Sequence, residues 1–286
     1  MAEDKQGELF SLDSPLMNGV RGERSLMAYP FFALSKKGWM KPLAYKTEDV
    51  SIEIGPGPKG IATIYDKEVL LYIASLMVSK LEAGQEVGQE FTFTAHDLFR
   101  VTGVNGSSRS YERLFDALER LQGTQIKTNI EAGGEGEAGF FSWLEAARLQ
   151  YTKGENGEKR LKAVKVRLCD WLYRSILRDR QVLEYASTYF QLGPIERRLY
   201  EVARSLCSDG STTISLGDLR LQMGYQATSR HLKFALSKIV EEDVIPGFRF
   251  EIDEDEEQAT ITDKGRRVRE YLVKIIPQAV PKRLAS

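Results

Sequence analysis

The sequence has few of the side chains that bind transition metals or act as nucleophiles. It contains two histidines, His96 and His231, and two cysteines, Cys169 and Cys207, each isolated in the chain. No His-x-His or paired-cysteine spacing occurs, which argues against a zinc site and against a metal-dependent nicking enzyme. The isolated cysteines provide no disulfide framework and are expected to be free, buried thiols. We therefore expect no metal and no cofactor.

The motifs of nucleotide hydrolysis are missing as well. The segment GPGPKGIAT, from Gly55 to Thr63, superficially resembles a phosphate loop. Its spacing fails, because Gly60 is followed by Ile61 and Ala62 and not by Lys and Ser or Thr. The carboxylates lie in solvated runs, and no acid/base pair stands out among them. The sequence therefore favours a protein that is not an enzyme.

The chain also lacks long apolar runs and an excess of charge of either sign. No apolar run approaches the roughly 20 residues that cross a bilayer. The start, MAEDKQGELF, is acidic and unlike a signal peptide, so we expect a cytoplasmic protein. With a net charge of -1 and a pI near 6.3, any nucleic-acid-binding surface needs cations that are gathered locally. The segment Lys264 to Ser286 gathers seven Lys or Arg against one Glu, whereas acid concentrates in Glu251 to Glu257.

The segment from Thr94 to Ile130 predicts a helix, a turn, a second helix and a strand. Thr94 is a good N-cap for AHDLFRVTG, where Asp97 occupies the third helical position, and Gly103 ends this first helix. VNGSS can only be a turn. The strand TQIKTNI completes the element order of a winged helix.

The second helix of this segment is the candidate recognition helix. It is predicted from Ser108 to Leu121, with Ser108 or Ser110 as its N-cap. Its apolar positions follow helical spacing, namely Tyr111, Leu114, Phe115, Leu118 and Leu121. Arg109, Arg113 and Arg120 lie on the other side of this helix.

The same pattern recurs further along the chain. FTFTAHDLFRVTG, from Phe91 to Gly103, matches TTISLGDLRLQMG, from Thr212 to Gly224, at an offset of 121. The second helices match at an offset of 118, so the first turn is three residues longer. Each copy is preceded by an apolar helix and followed by a predicted hairpin. Chance similarity between amphipathic helices is the alternative, but the recurrence favours an α+β fold of two tandem winged-helix domains related by internal duplication.

The predicted boundaries are a disordered tail over 1–24, a first domain over 25–178, a second over 179–276 and a flexible basic tail over 277–286. In the first domain, EAGGEGEAG after Ile130 is predicted as the wing tip, and strands are predicted over 140–152 and 160–169. In the second, FRFEI and QATIT form the wing with an acidic tip, and GRRVREYLVKII forms a closing basic helix.

Several separated motifs occur in order: MAYPFFALSK, KGIATIYDKEVL, YERLFDALERLQGTQIKTNI, WLYRSI and YFQLGPIERRLYEVARSLC. With these motifs the chain resembles the plasmid replication initiator protein A family from about Met27 to Ile276. The resemblance implies a protein that binds an origin of plasmid replication sequence-specifically and recruits host replication proteins. It does not say which residues contact bases, and the acidic second wing is at odds with a wing that grips phosphates.

Other functions remain open on the sequence alone. A winged-helix transcriptional repressor, autoregulatory or not, would use the same helices; an initiator supports replication of its origin in a host, whereas a repressor only silences a promoter. A scaffold that uses winged helices for protein contact is another alternative. A rolling-circle nicking enzyme needs a tyrosine near metal-binding histidines, and Tyr111 and Tyr200 have no such neighbours.

The candidate DNA contacts are the polar residues at the start of each recognition helix, the cations along it and the basic C-terminal segment. A solvated charged face is the alternative, but two copies of the arrangement favour DNA. The candidates are Ser107, Ser108, Arg109, Ser110, Arg113 and Arg120 in the first helix, Thr228, Ser229, Arg230, Lys233 and Lys238 in the second, and Arg266 and Arg267 beyond it.

A short motif near the start suggests a protein partner. QGELF, with Gln6, Leu9 and Phe10, is similar to the peptide by which bacterial proteins dock on the replicative sliding clamp. Gly7 departs from the usual larger residue, and a chance match in a polar tail is the alternative. The partners under consideration are therefore double-stranded origin DNA, a helicase or its loader, the clamp and a second copy of the chain, with no membrane.

Overall fold

The fold was obtained as a computed structural model, which describes residues 12–136, 139–153, 158–208, 210–261 and 267–278. The helices are α1 (Arg24–Ala28), α2 (Lys67–Glu82), α3 (Ala95–Thr102), α4 (Ser108–Gly123), α5 (Asp170–Arg174), α6 (Pro194–Leu206), α7 (Leu216–Met223) and α8 (Ser229–Glu242). The strands are β1 (Arg21–Glu23), β2 (Leu43–Lys46), β3 (Ser51–Gly55), β4 (Glu90–Phe93), β5 (Gln125–Thr128), β6 (Leu144–Lys153), β7 (Lys159–Leu168), β8 (Val182–Glu184), β9 (Thr212–Ser215), β10 (Phe248–Ile261) and β11 (Arg267–Pro277). A π-helical turn at Ser175–Asp179 extends α5, and a 3-10 turn at Tyr189–Gln191 precedes α6.

The first helix-turn-helix is α3 followed by α4. The Thr94 hydroxyl accepts a hydrogen bond from the backbone N–H of Asp97, and Gly103 ends α3 in the left-handed conformation at φ 72°. The N-cap of α4 is Ser107, whose side chain accepts from the N–H of Ser110. The prediction that Ser108 or Ser110 caps this helix is therefore wrong, because the chain turns into the helix one residue earlier.

The second helix-turn-helix, α7 followed by α8, repeats these details. Ser215 caps α7 by accepting from the N–H of Asp218, and Gly224 ends it at φ 65°. Thr228 caps α8 by accepting from the N–H of His231. The same caps and the same left-handed glycine at corresponding positions support the predicted duplication.

Each helix-turn-helix carries a three-stranded antiparallel sheet. The strand that leads into the first helix pairs with the returning strand of a hairpin, which gives the orders β4-β7-β6 and β9-β11-β10. Phe91 is opposite Val166 in the first sheet, and Ile214 is opposite Val273 in the second. The two hairpins, β6–β7 and β10–β11, are therefore the wings of the two domains.

The predicted position of the first wing tip is wrong. Strand β5, which precedes the EAGGEGEAG segment, pairs with β3 in a separate sheet of order β2-β3-β5. The hairpin β6–β7 is the wing, and residues 154–158 separate its two strands in the chain. β5 follows the recognition helix directly, as a wing strand would. The alternation of apolar and polar residues in its sequence identifies a strand but does not show which sheet the strand joins.

The second wing also differs from its prediction. β10 is one strand from Phe248 to Ile261 with a register shift between Asp255 and Thr260, so the acidic run lies within the strand and not at a tip. The predicted closing helix is β11, the central strand of its sheet, with Val273 and Ile275 fully buried. The second domain therefore depends on this segment for its core.

Part of the predicted disordered tail is packed against the first domain. The backbone N–H of Asp13 donates to the carbonyl of Thr92 at 2.7 Å, and Leu16 is buried. Strand β1 pairs with β8, with Gly22 opposite Leu183. The prediction of a mobile segment is wrong for residues 13–24, and residues 1–11 lie outside the described part of the chain.

The two domains pack through a buried polar interface. Lys67, at the start of α2, is fully buried and its Nζ lies 2.6 Å from Oε1 of Glu201 on α6. The hydroxyl of Tyr189 also donates to that oxygen, at 2.7 Å. Arg198 of α6 donates to the backbone carbonyls of Met27 and Ala28 in the first half of the chain, the bond to Ala28 being 2.9 Å long. These bonds satisfy charges that burial would otherwise penalise, and they fix how the domains meet.

No helix in the described ranges combines the length and the apolar character that crossing a membrane requires.

Candidate nucleic-acid interface

Three of the predicted contacts on α4 lie at the surface near its start. Ser107, Ser108 and Arg109 are exposed, and Arg113, one turn further on, is exposed as well. The N-terminus of α4 therefore offers backbone N–H groups and two cations to solvent, an arrangement that suits a phosphate.

Two other predicted contacts on α4 point inward, so their assignment is corrected. Ser110 is buried and its hydroxyl donates to the carbonyl of Asn105 at 2.6 Å. Arg120 makes two hydrogen bonds of 2.7 Å to the carboxylate of Asp66, which lies at the start of α2. This pairing raises the pKa of Arg120 above its usual range. The Ser110 bond closes the turn before α4 and the Arg120 pair holds α4 against the start of α2, so neither side chain is available to DNA.

The remaining outer face of α4 is rich in carboxylates. Glu112 and Glu119 are exposed, and Asp116 lies between them on the helix. Lys59, from the loop after β3, lies 3.2 Å from Asp116 and 3.9 Å from Glu119. Beyond its first turn and Arg113, this helix would present negative charge to a nucleic acid, so a role in reading bases is not favoured.

The outer face of α8 has the opposite charge. Arg230 is exposed at the second helical position, and Lys238 is 70% exposed with Glu242 3.7 Å away. The Nζ of Lys233 lies 3.5 Å from the ring centroid of Tyr271 on β11, which holds this lysine between helix and wing. Thr228 is exposed at the N-cap and Ser229 is half-buried. The structure thus places the predicted contacts of α8 together on one surface.

The first wing carries a group of cations that the sequence analysis missed. They are Arg148 and Lys153 on β6, and Lys159, Arg160, Lys162, Lys165 and Arg167 on β7. Arg148 is exposed directly opposite Lys165 in the β6–β7 register. Some of the charge is neutralised, since Lys165 lies 2.8 Å from Glu90 and Arg167 lies 2.6 Å from Glu145. A density of Lys and Arg over these 25 residues was the available signal, and it was overlooked because the wing was placed elsewhere.

The second wing is acidic by contrast. β10 contains six carboxylate residues against one arginine, Arg249, whose Nε lies 3.9 Å from Glu251. Lys274 of β11 lies 3.8 Å from the same carboxylate. Arg267 begins β11, and Arg266 lies outside the described residues, so their predicted contacts stay predictions. The same is true of Gln6, Leu9 and Phe10.

The chemistry of the histidines and thiols is unremarkable. His96 is 84% exposed, and the ring of His231 shares a 2.8 Å hydrogen bond with the Thr228 hydroxyl. Burial raises the pKa of the Cys169 thiol to about 12, which leaves it protonated and unreactive. Among the described residues, no group of three or more His, Cys, Asp or Glu side chains could hold a metal ion. The prediction of no cofactor remains a prediction.

Comparison with known proteins identifies the family. The family model for replication initiator protein A matches residues 21–250. The chain belongs to this family. A protein of Wigglesworthia glossinidia brevipalpis that carries the name replication protein is 31% identical over 245 residues, which cover 84% of this chain and 88% of that protein. The predicted family and the predicted role as a replication initiator are both confirmed.

The same comparison supports the fold class. A crystal structure of domains 2 and 3 of RctB covers 89% of this chain and 98% of its own, with a TM-score of 0.63 and 15% identity. A second structure of these RctB domains covers 89% and 97%, with a TM-score of 0.56 and 13% identity. The predicted α+β fold of two winged-helix domains is therefore confirmed for this initiator.

Proposed function

We propose that this initiator binds double-stranded origin DNA of a plasmid through both domains, and that the two domains make different kinds of contact. The wing β6–β7 of the first domain contacts the phosphate backbone, and helix α8 of the second domain contacts base edges in the major groove. The placement of the cations carries this proposal: seven of the 40 Lys and Arg lie on the wing strands β6 and β7, and Arg230, Lys233 and Lys238 lie along α8, although the whole chain has a net charge of -1.

The wing suits the backbone because its charges are spread along two long strands. Lys165 and Arg167 alternate with the buried Val164 and Val166, so their face of the sheet points away from the core. These two are paired with Glu90 and Glu145, and Arg148, opposite Lys165, adds an exposed cation to this face. A flat row of cations matches a row of phosphates, and such contacts add affinity without selecting a sequence.

Helix α8 suits the bases because Arg230 lies in its first turn, where a recognition helix meets base edges. Arginine can donate two hydrogen bonds to O6 and N7 of guanine, the commonest specific contact in the major groove. Lys233, held against Tyr271, lies where the wing joins the helix and fits an adjacent phosphate.

The remaining parts of the proposal rest on the family resemblance. The initiator acts in the cytoplasm without catalysing a covalent reaction, and it recruits host replication proteins through surfaces outside the two DNA-binding elements. A helicase or its loader, and the sliding clamp through Gln6, Leu9 and Phe10, are the proposed partners. A second copy of the chain is expected where the origin offers repeated sites.

A footprint combined with a replication assay tests this function. The full chain is expected to protect repeated segments of its plasmid DNA, and a small plasmid with those segments should replicate only when the chain is supplied. Arg230→Ala should require about 5- to 150-fold more protein for the same footprint and should reduce replication accordingly, whereas Arg249→Ala, on the acidic wing, should preserve both. Footprints that are equally strong on unrelated DNA, or a footprint and replication that are unchanged in Arg230→Ala, would refute the proposal.

A further inference from the structure

Helix α8 presents a large aromatic side chain to solvent. Phe234 is 80% exposed, although it lies in the middle of a helix whose apolar residues Leu232, Leu236 and Ile239 are buried on the opposite side. Single exposed hydrophobic residues are common on protein surfaces, so exposure alone assigns no role. The position of Phe234 relative to its charged neighbours is what distinguishes it.

Phe234 lies between two cations on one face of the helix. Arg230 precedes it by four residues and Lys238 follows it by four, so the three side chains form a line along the helix. This line extends over about 12 Å, the length of roughly three or four base pairs. A partner that supplies an apolar group beside negative charge or hydrogen-bond acceptors would match Phe234 and Arg230, whereas Lys238 is already paired with Glu242 at 3.7 Å.

The corresponding face of α4 has a different composition. At the offset of 118, Arg230, Phe234 and Lys238 correspond to Glu112, Asp116 and Arg120. Asp116 is paired with Lys59 at 3.2 Å, and Arg120 is paired with Asp66 at 2.7 Å. The fold therefore does not require an aromatic residue at this position, since the related helix tolerates a carboxylate there.

The major groove of DNA provides such a partner. Phosphates and guanine acceptors suit the two cations, and the only apolar group that base edges expose in this groove is the 5-methyl group of thymine. We propose that Phe234 packs against a thymine methyl group and so makes the second domain selective for a T·A pair next to the base read by Arg230. This inference rests on the proposed binding of DNA through α8.

Uracil substitution tests the contact directly, because deoxyuridine keeps the pairing of thymine and lacks only the methyl group. The probe is a 30-base-pair duplex that the full-length chain selects from a random library. Replacing each thymine in turn by uracil should weaken wild-type binding about four-fold at one position. Phe234→Ala should bind the parent duplex about ten-fold more weakly and should no longer distinguish thymine from uracil at that position.

Two variants serve as controls. Met17→Ala removes a side chain that is 83% exposed but lies outside α8, and it should retain wild-type affinity and the uracil response. Phe234→Leu should keep part of the discrimination. Thermal unfolding of Phe234→Ala should match the wild type, since the ring is exposed.

The outcomes separate this inference from the function on which it rests. If the wild type selects a duplex and Phe234→Ala binds it equally tightly with the same uracil response, the thymine contact is refuted and DNA binding stands. That result would favour contact with another protein as the role of the exposed ring. If the wild type enriches no sequence from the library, the proposed function fails and this inference fails with it.

Discussion

The two winged helices share one framework and distribute their charge in opposite ways. In the first domain the wing β6–β7 is basic, and the recognition helix α4 carries Glu112, Asp116 and Glu119 on its outer face. In the second domain the wing strand β10 is acidic, and the recognition helix α8 carries Arg230 and Lys238. The main cationic element is therefore the wing in the first domain and the recognition helix in the second, and the start of α4 adds the exposed Arg109 and Arg113.

This difference shows which residues specify the fold and which specify the function. The side-chain caps and left-handed glycines occur in both copies, because each helix-turn-helix needs them to form. The exposed positions are free of that requirement, so they could diverge after duplication. We infer that the copies became specialised, one for the backbone and one for bases.

The largest expected effect concerns the interface that joins the domains. Lys67→Met should lower the free energy of unfolding by about 3–5 kcal/mol, because it leaves the buried Glu201 without one of its partners. Urea denaturation measures this loss. The double variant Lys67→Met, Glu201→Gln should recover little of it, because Glu201 also pairs with the buried Arg198 at 3.2 Å. A single variant as stable as the wild type would contradict a stabilising role for the Lys67–Glu201 pair.

The same pair predicts how stability depends on pH. Burial lowers the pKa of Lys67 from 10.5 to about 8. Between these values the unfolded chain binds more protons than the folded chain, so the contribution of Lys67 to stability rises as the pH increases. The wild type should gain up to about 3 kcal/mol relative to Lys67→Met between pH 8 and 10.5. A difference between the two proteins that does not change with pH would contradict a buried, titrating lysine.

A smaller effect is expected at the recognition helices. Arg230→Ala should cost about 1–3 kcal/mol on the specific site and little on unrelated DNA, if Arg230 contacts a base. Arg113→Ala, on α4, should cost less and should affect both DNAs to the same degree. Titration of labelled duplexes by fluorescence anisotropy measures both variants, and equal loss of specificity in both would remove the distinction between the helices.

The smallest effect is expected at the loop that covers α4. Lys59 is half exposed, and its pairs with Asp116 and Glu119 lie at the surface. Lys59→Ala should therefore change the free energy of unfolding by less than about 1 kcal/mol. It should also weaken DNA binding slightly by uncovering two carboxylates. Unchanged binding in this variant would mean that this face of α4 does not approach the DNA.

The sequence predicted the helices of both helix-turn-helix units and the cap of α3 because these depend on local patterns, although the cap of α4 was placed too late in the chain. Thr94 with Asp97, and Ser215 with Asp218, are close in the chain and fix the helix starts without help from elsewhere. The predicted duplication relied on such local features and identified the fold class.

Most of the sequence-based predictions that proved wrong depend on contacts between distant parts of the chain. Arg120 was predicted to meet DNA, but its partner Asp66 lies 54 residues away and no local pattern indicates it. The segment of β11 has apolar residues at helical spacing, while Tyr271, Val273 and Ile275 also alternate as in a strand. The neighbouring strands β9 and β10 decide between these patterns, because they supply the backbone hydrogen bonds. The basic wing was missed because its strands could not be assigned to a sheet.

The central claim is that the first wing contacts phosphates and α8 contacts bases. It is tested most directly by measuring DNA affinity as a function of salt concentration on specific and unrelated duplexes. Three variants are compared with the wild type: Arg148→Ala, Lys153→Ala on the basic wing; Arg230→Ala on α8; and Arg249→Ala on the acidic wing as the control. The wing variant should lose affinity equally on both duplexes, and its slope of log affinity against log salt should fall by about two. Arg230→Ala should lose affinity on the specific duplex alone, and the control should change neither. A wing variant that loses specificity while its salt slope is unchanged would contradict the account.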